Sequence, residues 1–171
     1  MLDIVQNSVE ARATRIELTV AERDEVLELA VVDNGVGMDE ETLRRAQDPF
    51  YTDGIKHPTR GVGLGLPFLR QLVEAVGGTF SLESAVGVGT SLGVTAPRSH
   101  WDLPPIGNLA VVFQQSLCFA GDYEMVINRR RGGVDYSMRR SEVVDALGEL
   151  DTAGSQALLK DYIESQEETL E

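Results

Sequence analysis

The sequence predicts an α+β fold, and three observations carry this prediction. Apolar residues alternate at positions 16, 18 and 20 and again at 27, 29 and 31, which indicates an antiparallel hairpin. Apolar residues three and four positions apart predict helices over residues 1–12 and from about residue 66 to the glycine pair at 77–78. A second hairpin is predicted over residues 79–95, around the turn at 87–89. Helices and hairpins therefore share one chain.

The composition favours a soluble protein with at least one sizeable core. The 171 residues, 42% of them hydrophobic, are enough for one domain with an appendage or for two small units. A net charge of −13 disfavours nonspecific binding to nucleic acid or to an anionic membrane. The single cysteine, Cys118, excludes an intrachain disulfide and is typical of a reducing cytosol. No apolar run reaches membrane-spanning length and no signal peptide is evident, so we expect a cytoplasmic protein.

The sequence DNGVGM at residues 33–38 is the first candidate site. Asp33 falls where the second strand of the first hairpin ends, a usual place for a carboxylate to meet a ligand. Gly35 and Gly37 would let the backbone approach that ligand closely. An ordinary strand-to-loop turn is the alternative interpretation of the same residues.

The first helix carries a second candidate pair. Asp3 and Asn7 are four positions apart and therefore share one helix face. The pair could act as a base and a metal ligand, or it could simply be a solvated face. Asp39 is predicted to cap a short helix that follows the glycine turn.

The sequence GVGLGL at residues 61–66 is the third candidate, because it leads into a helix with Pro67 near its start. Free backbone N–H groups and the positive end of a helix dipole suit an anion, above all phosphate. The spacing also resembles a dinucleotide fingerprint, but no parallel strand unit surrounds it. Residues 47–60 show no periodicity and predict a mobile loop.

Taken together, these stretches resemble the GHKL superfamily of ATP-binding domains, which includes DNA gyrase, the heat-shock chaperone of the ninety-kilodalton class, sensor histidine kinases and MutL. The matching motifs are DIVQNS at 3–8, DNGVG at 33–37, FYT at 50–52, GVGLGL at 61–66 and GVGT at 87–90. The resemblance implies a Bergerat-type α/β sandwich over residues 1–97, a mixed sheet covered by helices. A joint match in this order is far more specific than any of the motifs alone.

The resemblance also implies ATP and Mg²⁺ as cofactors. Asn7 would ligate the magnesium ion, Asp33 would accept a hydrogen bond from the adenine amino group, and Thr90 would join the adenine contact. The other expected nucleotide contacts are Gly35, Gly37, Met38, Phe50, Thr52, Lys56, Arg60, Gly61, Val62, Gly63, Leu64, Gly65 and Leu66.

The most similar branch is the catalytic domain of sensor histidine kinases, from which this chain departs at three places. Asp3 stands where those kinases usually have asparagine and where gyrase and MutL have glutamate as a general base, so Asp3 is a candidate base. The chain begins at Met1 inside the helix that carries the first motif, so either its start is truncated or another segment completes the sheet. No helical histidine module precedes the domain, and neither His57 nor His100 is favoured as a phosphoacceptor.

These features predict a Mg²⁺-dependent ATP-binding protein that transfers phosphate to an unidentified partner protein. One alternative is an ATPase switch of the gyrase and MutL kind, with Asp3 as the base. Another is a non-catalytic ATP-sensing module that holds a partner. The sequence is also compatible with a homodimer.

Residues 98–171 are predicted to form a small α+β extension. Strands are expected at 109–119, 123–130 and 134–138, a helix capped by Ser141, and a helix at 155–169. The inward residues of that last helix are expected to be Leu158, Leu159, Tyr162 and Ile163. We favour a separate partner-binding or dimerisation unit over a segment that supplies missing strands. The arginines at 129–131 and 139–140 are interpreted as a solvated hairpin tip rather than a site for an acidic partner.

Overall fold

The computed structural model describes residues 1–48 and 65–170 and shows one mixed sheet covered by helices. The strands are β1 (Arg15–Glu22), β2 (Val26–Asp33), β3 (Thr79–Ala85), β4 (Gly89–Pro97), β5 (Glu124–Arg131) and β6 (Val134–Arg139). The helices are α1 (Leu2–Glu10), α2 (Glu40–Ala46), α3 (Gly65–Ala75), α4 (Leu109–Leu117), α5 (Arg140–Leu147) and α6 (Ala153–Glu168). The predicted α+β class is confirmed.

The sheet has six strands in the order β3-β4-β2-β1-β5-β6. All neighbouring strands are antiparallel except β1 and β5, which run parallel. Because side chains alternate across a strand, Leu18, Val31, Leu92 and Ile127 all point to one face, where they are buried in the core. The helices pack on that face, and most side chains of the opposite face are polar.

The ends of two helices follow the predicted signals. Asp39 caps α2, since its Oδ1 accepts a 2.7 Å hydrogen bond from the Thr42 N–H group. Gly77 follows α3 with a φ of +73°, a conformation that glycine adopts without strain.

The segment after residue 97 differs from its prediction in how it joins the rest. Strand β5 lies beside β1, with Leu18 opposite Ile127, so β5 and β6 extend the main sheet rather than form a sheet of their own. The alternative in which this segment supplies strands to the sheet describes the structure. The boundary predicted at residue 97 thus falls inside one continuous sheet, and a role of residues 98–171 in partner binding or dimerisation stays a prediction.

The strand predicted at residues 109–119 is wrong, because this stretch forms helix α4. Asn108 caps it by accepting a hydrogen bond from the Val111 N–H group at 3.1 Å. Its buried positions are Leu109, Ala110, Phe113, Ser116 and Leu117. That spacing is helical, and it outweighs the β-branched residues that favoured a strand.

Two details of the last helices also need correction. Helix α5 begins at Arg140 with Arg139 at its N-cap, so Ser141 is not the cap. In α6, Leu159 and Ile163 are fully buried as predicted, but Leu158 is 59% exposed and Tyr162 is 48% exposed. Two of the four residues predicted to face inward are therefore buried.

The arginine cluster is not a solvated tip throughout, because Arg129 is only 2% exposed. Its guanidinium donates to Glu22 on β1 and, at 3.2 Å, to both carboxylate oxygens of Glu167 on α6. Tyr136 on β6 donates a further hydrogen bond to Glu167. This partly buried network connects β1, β5, β6 and α6.

Candidate functional site

The Asp33 carboxylate is the centre of the candidate site, at the end of β2. Its Oδ1 accepts hydrogen bonds from the backbone N–H groups of Gly35, at 2.8 Å, and Thr90, at 3.3 Å. Its Oδ2 accepts the hydroxyl of Ser8 on α1 at 2.7 Å. An ionised carboxylate offers about four acceptor positions, so these three bonds leave one on Oδ2. The carboxylate is therefore held rigidly while it can still accept one more donor.

Asp33 forms part of the wall of a cavity of about 630 Å³, within the size range of small-molecule sites. Helix α1, the glycine turn after β2 and strands β3 and β4 surround this cavity. Its apolar wall includes Ile4, Val31, Leu66, Leu82 and Leu92, and its polar groups include Asn7, Asp33, Asp39, Thr42 and Thr90. A flat apolar group can pack on this wall and place a polar edge against Asp33.

Two glycines allow the backbone segments around Asp33 to come together. Gly37 has a φ of +67°, and a Cβ atom there would lie 1.9 Å from the carbonyl oxygen of Ala85. At Gly89, with a φ of +123°, a Cβ atom would lie 2.0 Å from the carbonyl oxygen of Asp33. Contacts this short cannot form, so neither position accepts a side chain without a local shift of the backbone.

The structure brings most of the described candidates together. Asn7, Asp33, Gly37, Met38, Leu66 and Thr90 all line the cavity. Gly35 is buried beside it and donates to Asp33, whereas Asp3 and Gly65 stand just outside. The predicted residues Phe50, Thr52, Lys56, Arg60, Gly61, Val62, Gly63 and Leu64, together with the mobile loop expected at 47–60 apart from its first two positions, lie outside the described residues.

Asn7 and Asp3 are the candidate residues for holding a metal ion. Both side chains are exposed on α1, and in the described ranges neither makes a hydrogen bond. Those ranges contain no group of three or more histidine, cysteine, aspartate or glutamate residues that could hold a metal ion. Mg²⁺ keeps several waters and often takes only one or two protein oxygens beside substrate phosphates. The Asn7 amide oxygen fits such a site.

The Asp3 side chain, on α1, lies close to Gly65, the first residue of α3. Its Oδ2 atom is 3.4 Å from the place that a Cβ atom on Gly65 would occupy. The positive end of a helix dipole favours a negative group at this point. The Asp3 carboxylate is therefore close to the position where the third sequence motif meets its helix.

Ser8 and Ser84 belong to the site but have no predicted role in it. Ser8 is 3% exposed and lies one helical turn after Ile4 on the buried face of α1. A polar residue at a buried position of an apolar stripe needs a partner, and this signal could have identified Ser8. Ser84 contacts Met38 and Thr90 through pairings that only the strand register defines.

In the described part of the chain, no helix is long and apolar enough to cross a membrane.

Comparison with known proteins finds a family match for the first part of the chain. Residues 1–100 match the family described as "Histidine kinase-, DNA gyrase B-, and HSP90-like ATPase". Over 100 residues the chain is 35% identical to the histidine protein kinase DivJ of Caulobacter vibrioides, which covers 57% of this chain and 17% of DivJ. It is 32% identical over 100 residues to sporulation kinase E of Bacillus subtilis, covering 56% of this chain and 13% of that kinase. The chain thus spans less than a fifth of the length of these curated relatives.

Two solved structures are similar to part of the chain. Full-length ShkA in complex with AMPPNP aligns with a TM-score of 0.44 and 26% identity, covering 56% of this chain and 20% of ShkA. The catalytic domain of the histidine kinase ThkA aligns with a TM-score of 0.43 and 28% identity, covering 56% of this chain and 62% of that domain.

Proposed function

Because the chain belongs to the family of histidine kinase-, DNA gyrase B- and HSP90-like ATPases, we propose that the cavity at Asp33 binds ATP with Mg²⁺ and that the protein transfers phosphate to a partner protein. The observation that carries the proposal is the open acceptor position on Asp33 Oδ2 at the edge of an apolar cavity. An adenine ring would pack on the apolar wall and donate its amino proton to that oxygen. A base with a carbonyl at the same position would face a second acceptor and be rejected.

Asn7 would hold the magnesium ion beside the phosphates. It lies on the same cavity as Asp33, and its amide oxygen has no competing partner within the described residues. When bound, the metal would neutralise phosphate charge and orient the terminal phosphate. Gly61, Gly63, Leu64 and Gly65 are proposed to supply backbone N–H groups to the phosphates.

Calorimetry of ATP binding tests the proposal, with and without Mg²⁺, on the unmodified protein and on two variants. We expect Asp33→Asn to abolish binding, because an amide can turn its NH₂ group toward the adenine amino group. We expect Asn7→Ala to remove the magnesium dependence and to leave a weaker, metal-independent affinity. Absence of ATP binding by folded, unmodified protein would refute the proposal.

The position of Asp3 favours a second candidate, the ATPase switch. An exposed carboxylate beside the beginning of α3 could serve as a base for water, although aspartate is one methylene shorter than the glutamate of gyrase and MutL. Phosphate release from ATP without any partner, lost in Asp3→Asn, would identify an ATPase. ATP binding without release is expected for a kinase that lacks its acceptor and also for an ATP sensor, and labelled phosphate on a partner separates these two.

The C-terminal segment and the location of the protein remain parts of the proposal. We propose that residues 98–171 both complete the sheet and carry the surface for the partner or for a second copy. We also propose a cytoplasmic location, on the basis of the single cysteine, and no nucleic-acid partner, on the basis of the net charge of −13.

A further inference from the structure

Three residues of the candidate site stand directly opposite one another on adjacent strands. Ser84 on β3 pairs with Thr90 on β4, and Thr90 pairs with Asp33 on β2. Their side chains therefore share the face of the sheet that carries the cavity. Thr90 lines the cavity, whereas Ser84 is not among its lining residues.

The hydrogen bonds of Ser84 determine where the hydroxyl proton of Thr90 goes. The Ser84 Oγ atom lies 2.9 Å from the Met38 nitrogen, 2.9 Å from the Gly89 carbonyl oxygen and 2.9 Å from the Thr90 Oγ1 atom. The Met38 N–H group can only donate and the Gly89 carbonyl can only accept. Since Ser84 has a single proton, all three bonds form together only if Ser84 donates to Gly89 and Thr90 donates to Ser84.

With this assignment, the Thr90 hydroxyl proton points to Ser84. The Thr90 oxygen therefore presents only lone pairs to the cavity. The neighbouring Asp33 Oδ2 atom is likewise an acceptor. The polar edge formed by these two residues then offers acceptors and no side-chain donor.

We propose that Ser84 is a positioning residue for base selection, which fixes the Thr90 hydroxyl as an acceptor and so favours a purine with a 6-amino group over one with a 6-oxo group. The proposal rests on the proposed nucleotide function of the cavity. Without Ser84, the Thr90 hydroxyl is free to rotate and to donate to a 6-oxo group. Ser84 thus acts through Thr90 and does not touch the base.

The test compares ATP with inosine triphosphate, which carries a 6-oxo group in place of the amino group. Both affinities are measured by competition against a fluorescent ATP analogue on the full chain. In Ser84→Ala we expect the ratio of ATP to inosine triphosphate affinity to fall by about threefold to tenfold, the effect of one hydrogen bond. Ser84→Thr keeps the hydroxyl and should retain the original ratio.

A double-mutant comparison separates this role from a structural one. Thr90→Val removes the hydroxyl that Ser84 is proposed to orient, so Ser84→Ala should no longer change the ratio in that background. Thr90→Val alone should weaken ATP and leave inosine triphosphate unchanged, and this variant keeps the Ser84 contacts with Met38 and Gly89 even if Ser84→Ala does not fold. Ser81→Ala is the matched control, because Ser81 on the same strand donates to the Gly93 carbonyl but faces away from the cavity.

Three results would overturn the inference. Equal loss of both affinities in Ser84→Ala would show a purely structural role. A change of ratio that persists in the Thr90→Val background would show that Ser84 acts by another route. If the unmodified protein binds neither nucleotide, the proposed function itself fails, and this outcome is recognised before any variant is compared.

Discussion

Ser8 donates its hydroxyl proton to Oδ2 of Asp33 across 2.7 Å, and this bond connects helix α1 to the end of strand β2. Ser8 is 3% exposed, so solvent has little access to the hydroxyl. The bond leaves one acceptor position on Oδ2 of Asp33, a residue that lines the cavity. Ser8 therefore determines which part of the carboxylate remains available to a ligand.

Replacement of Ser8 by alanine should weaken both ATP binding and the fold. We expect the affinity, measured by calorimetry, to fall by about threefold to tenfold, because the carboxylate loses the donor that orients it. The free energy of unfolding should fall by about 1 kcal/mol. Ser8→Thr retains the hydroxyl and should restore binding.

Ser116→Ala provides the control for a buried helical serine. Ser116 is fully buried and donates to the Val112 carbonyl at 2.8 Å. It lies on α4, whereas Ser8 lies on α1, and it makes no hydrogen bond to Asp33. A similar loss of stability with unchanged ATP affinity is expected. An equal loss of affinity in both variants would contradict a specific role for Ser8.

The sequence was sufficient to predict the part of the fold that carries the site. Alternation in β1 and β2 placed Asp33 at a strand end, and Asp39 marked the beginning of α2, because both signals are local. Thr90 could be expected at the site only through the resemblance. Its contact with Asp33 depends on the pairing of β2 with β4, which is a long-range property.

The C-terminal segment was harder to predict because its signals conflict. Val111, Val112 and Phe113 favour a strand by propensity, whereas Asn108 and the spacing of buried residues favour a helix, and tertiary packing decided for the helix. Nothing local indicates that β5 pairs with β1. Arginine is mostly found at the surface, but two carboxylates from distant segments allow Arg129 to be buried.

Replacement of Gly89 by alanine should disrupt the site, because the added Cβ atom would lie 2.0 Å from the Asp33 carbonyl oxygen. We expect a loss of at least about 3 kcal/mol in the free energy of unfolding, from the clash and from the positive φ. Chemical denaturation measures this loss, and ATP affinity should fall with it.

Gly87→Ala separates the clash from the backbone conformation. Gly87 also has a positive φ, +77°, but a Cβ atom there would have no neighbour within 4 Å. A loss of about 1–2 kcal/mol is expected from the backbone alone. Equal losses at the two glycines would show that the close approach to Asp33 is unimportant.

Replacement of Arg129 by alanine should destabilise the whole domain, although Arg129 is remote from the cavity. The change leaves the nearly buried Glu22 carboxylate without its main partner. Arg98 and Arg131 lie 3.2 and 3.8 Å from the other oxygen of Glu22 and offset part of the cost. We therefore expect a loss near the lower end of the range for a broken buried pair, about 3 kcal/mol, in urea denaturation.

Arg130→Ala is the adjacent control, since Arg130 is exposed on the opposite face of β5. Its effect should stay within about 0.5 kcal/mol. A single cooperative transition in both variants is expected if residues 98–171 fold together with the rest. A separate early transition in Arg129→Ala would instead show an independent C-terminal unit.

Because of Tyr136, the free energy of unfolding should decrease at high pH. Burial raises the pKa of the Tyr136 hydroxyl well above its ordinary value of 10.0, and the hydrogen bond to the Glu167 carboxylate raises this pKa further. The folded pKa exceeds the unfolded pKa, so this stabilisation is complete below about pH 10 and is lost as the pH rises above it. In that range the unfolded chain releases a proton that the folded protein still holds.

Urea denaturation at several values between pH 8 and pH 11 measures this dependence. Tyr136→Phe cannot ionise, so its stability should fall less steeply above pH 10, by at most about 1.4 kcal/mol per pH unit and by less because partial exposure screens the site. The remaining decline should come partly from Tyr123, whose pKa burial also raises. An unchanged slope in Tyr136→Phe would contradict the role of the Tyr136 hydroxyl and its hydrogen bond to Glu167.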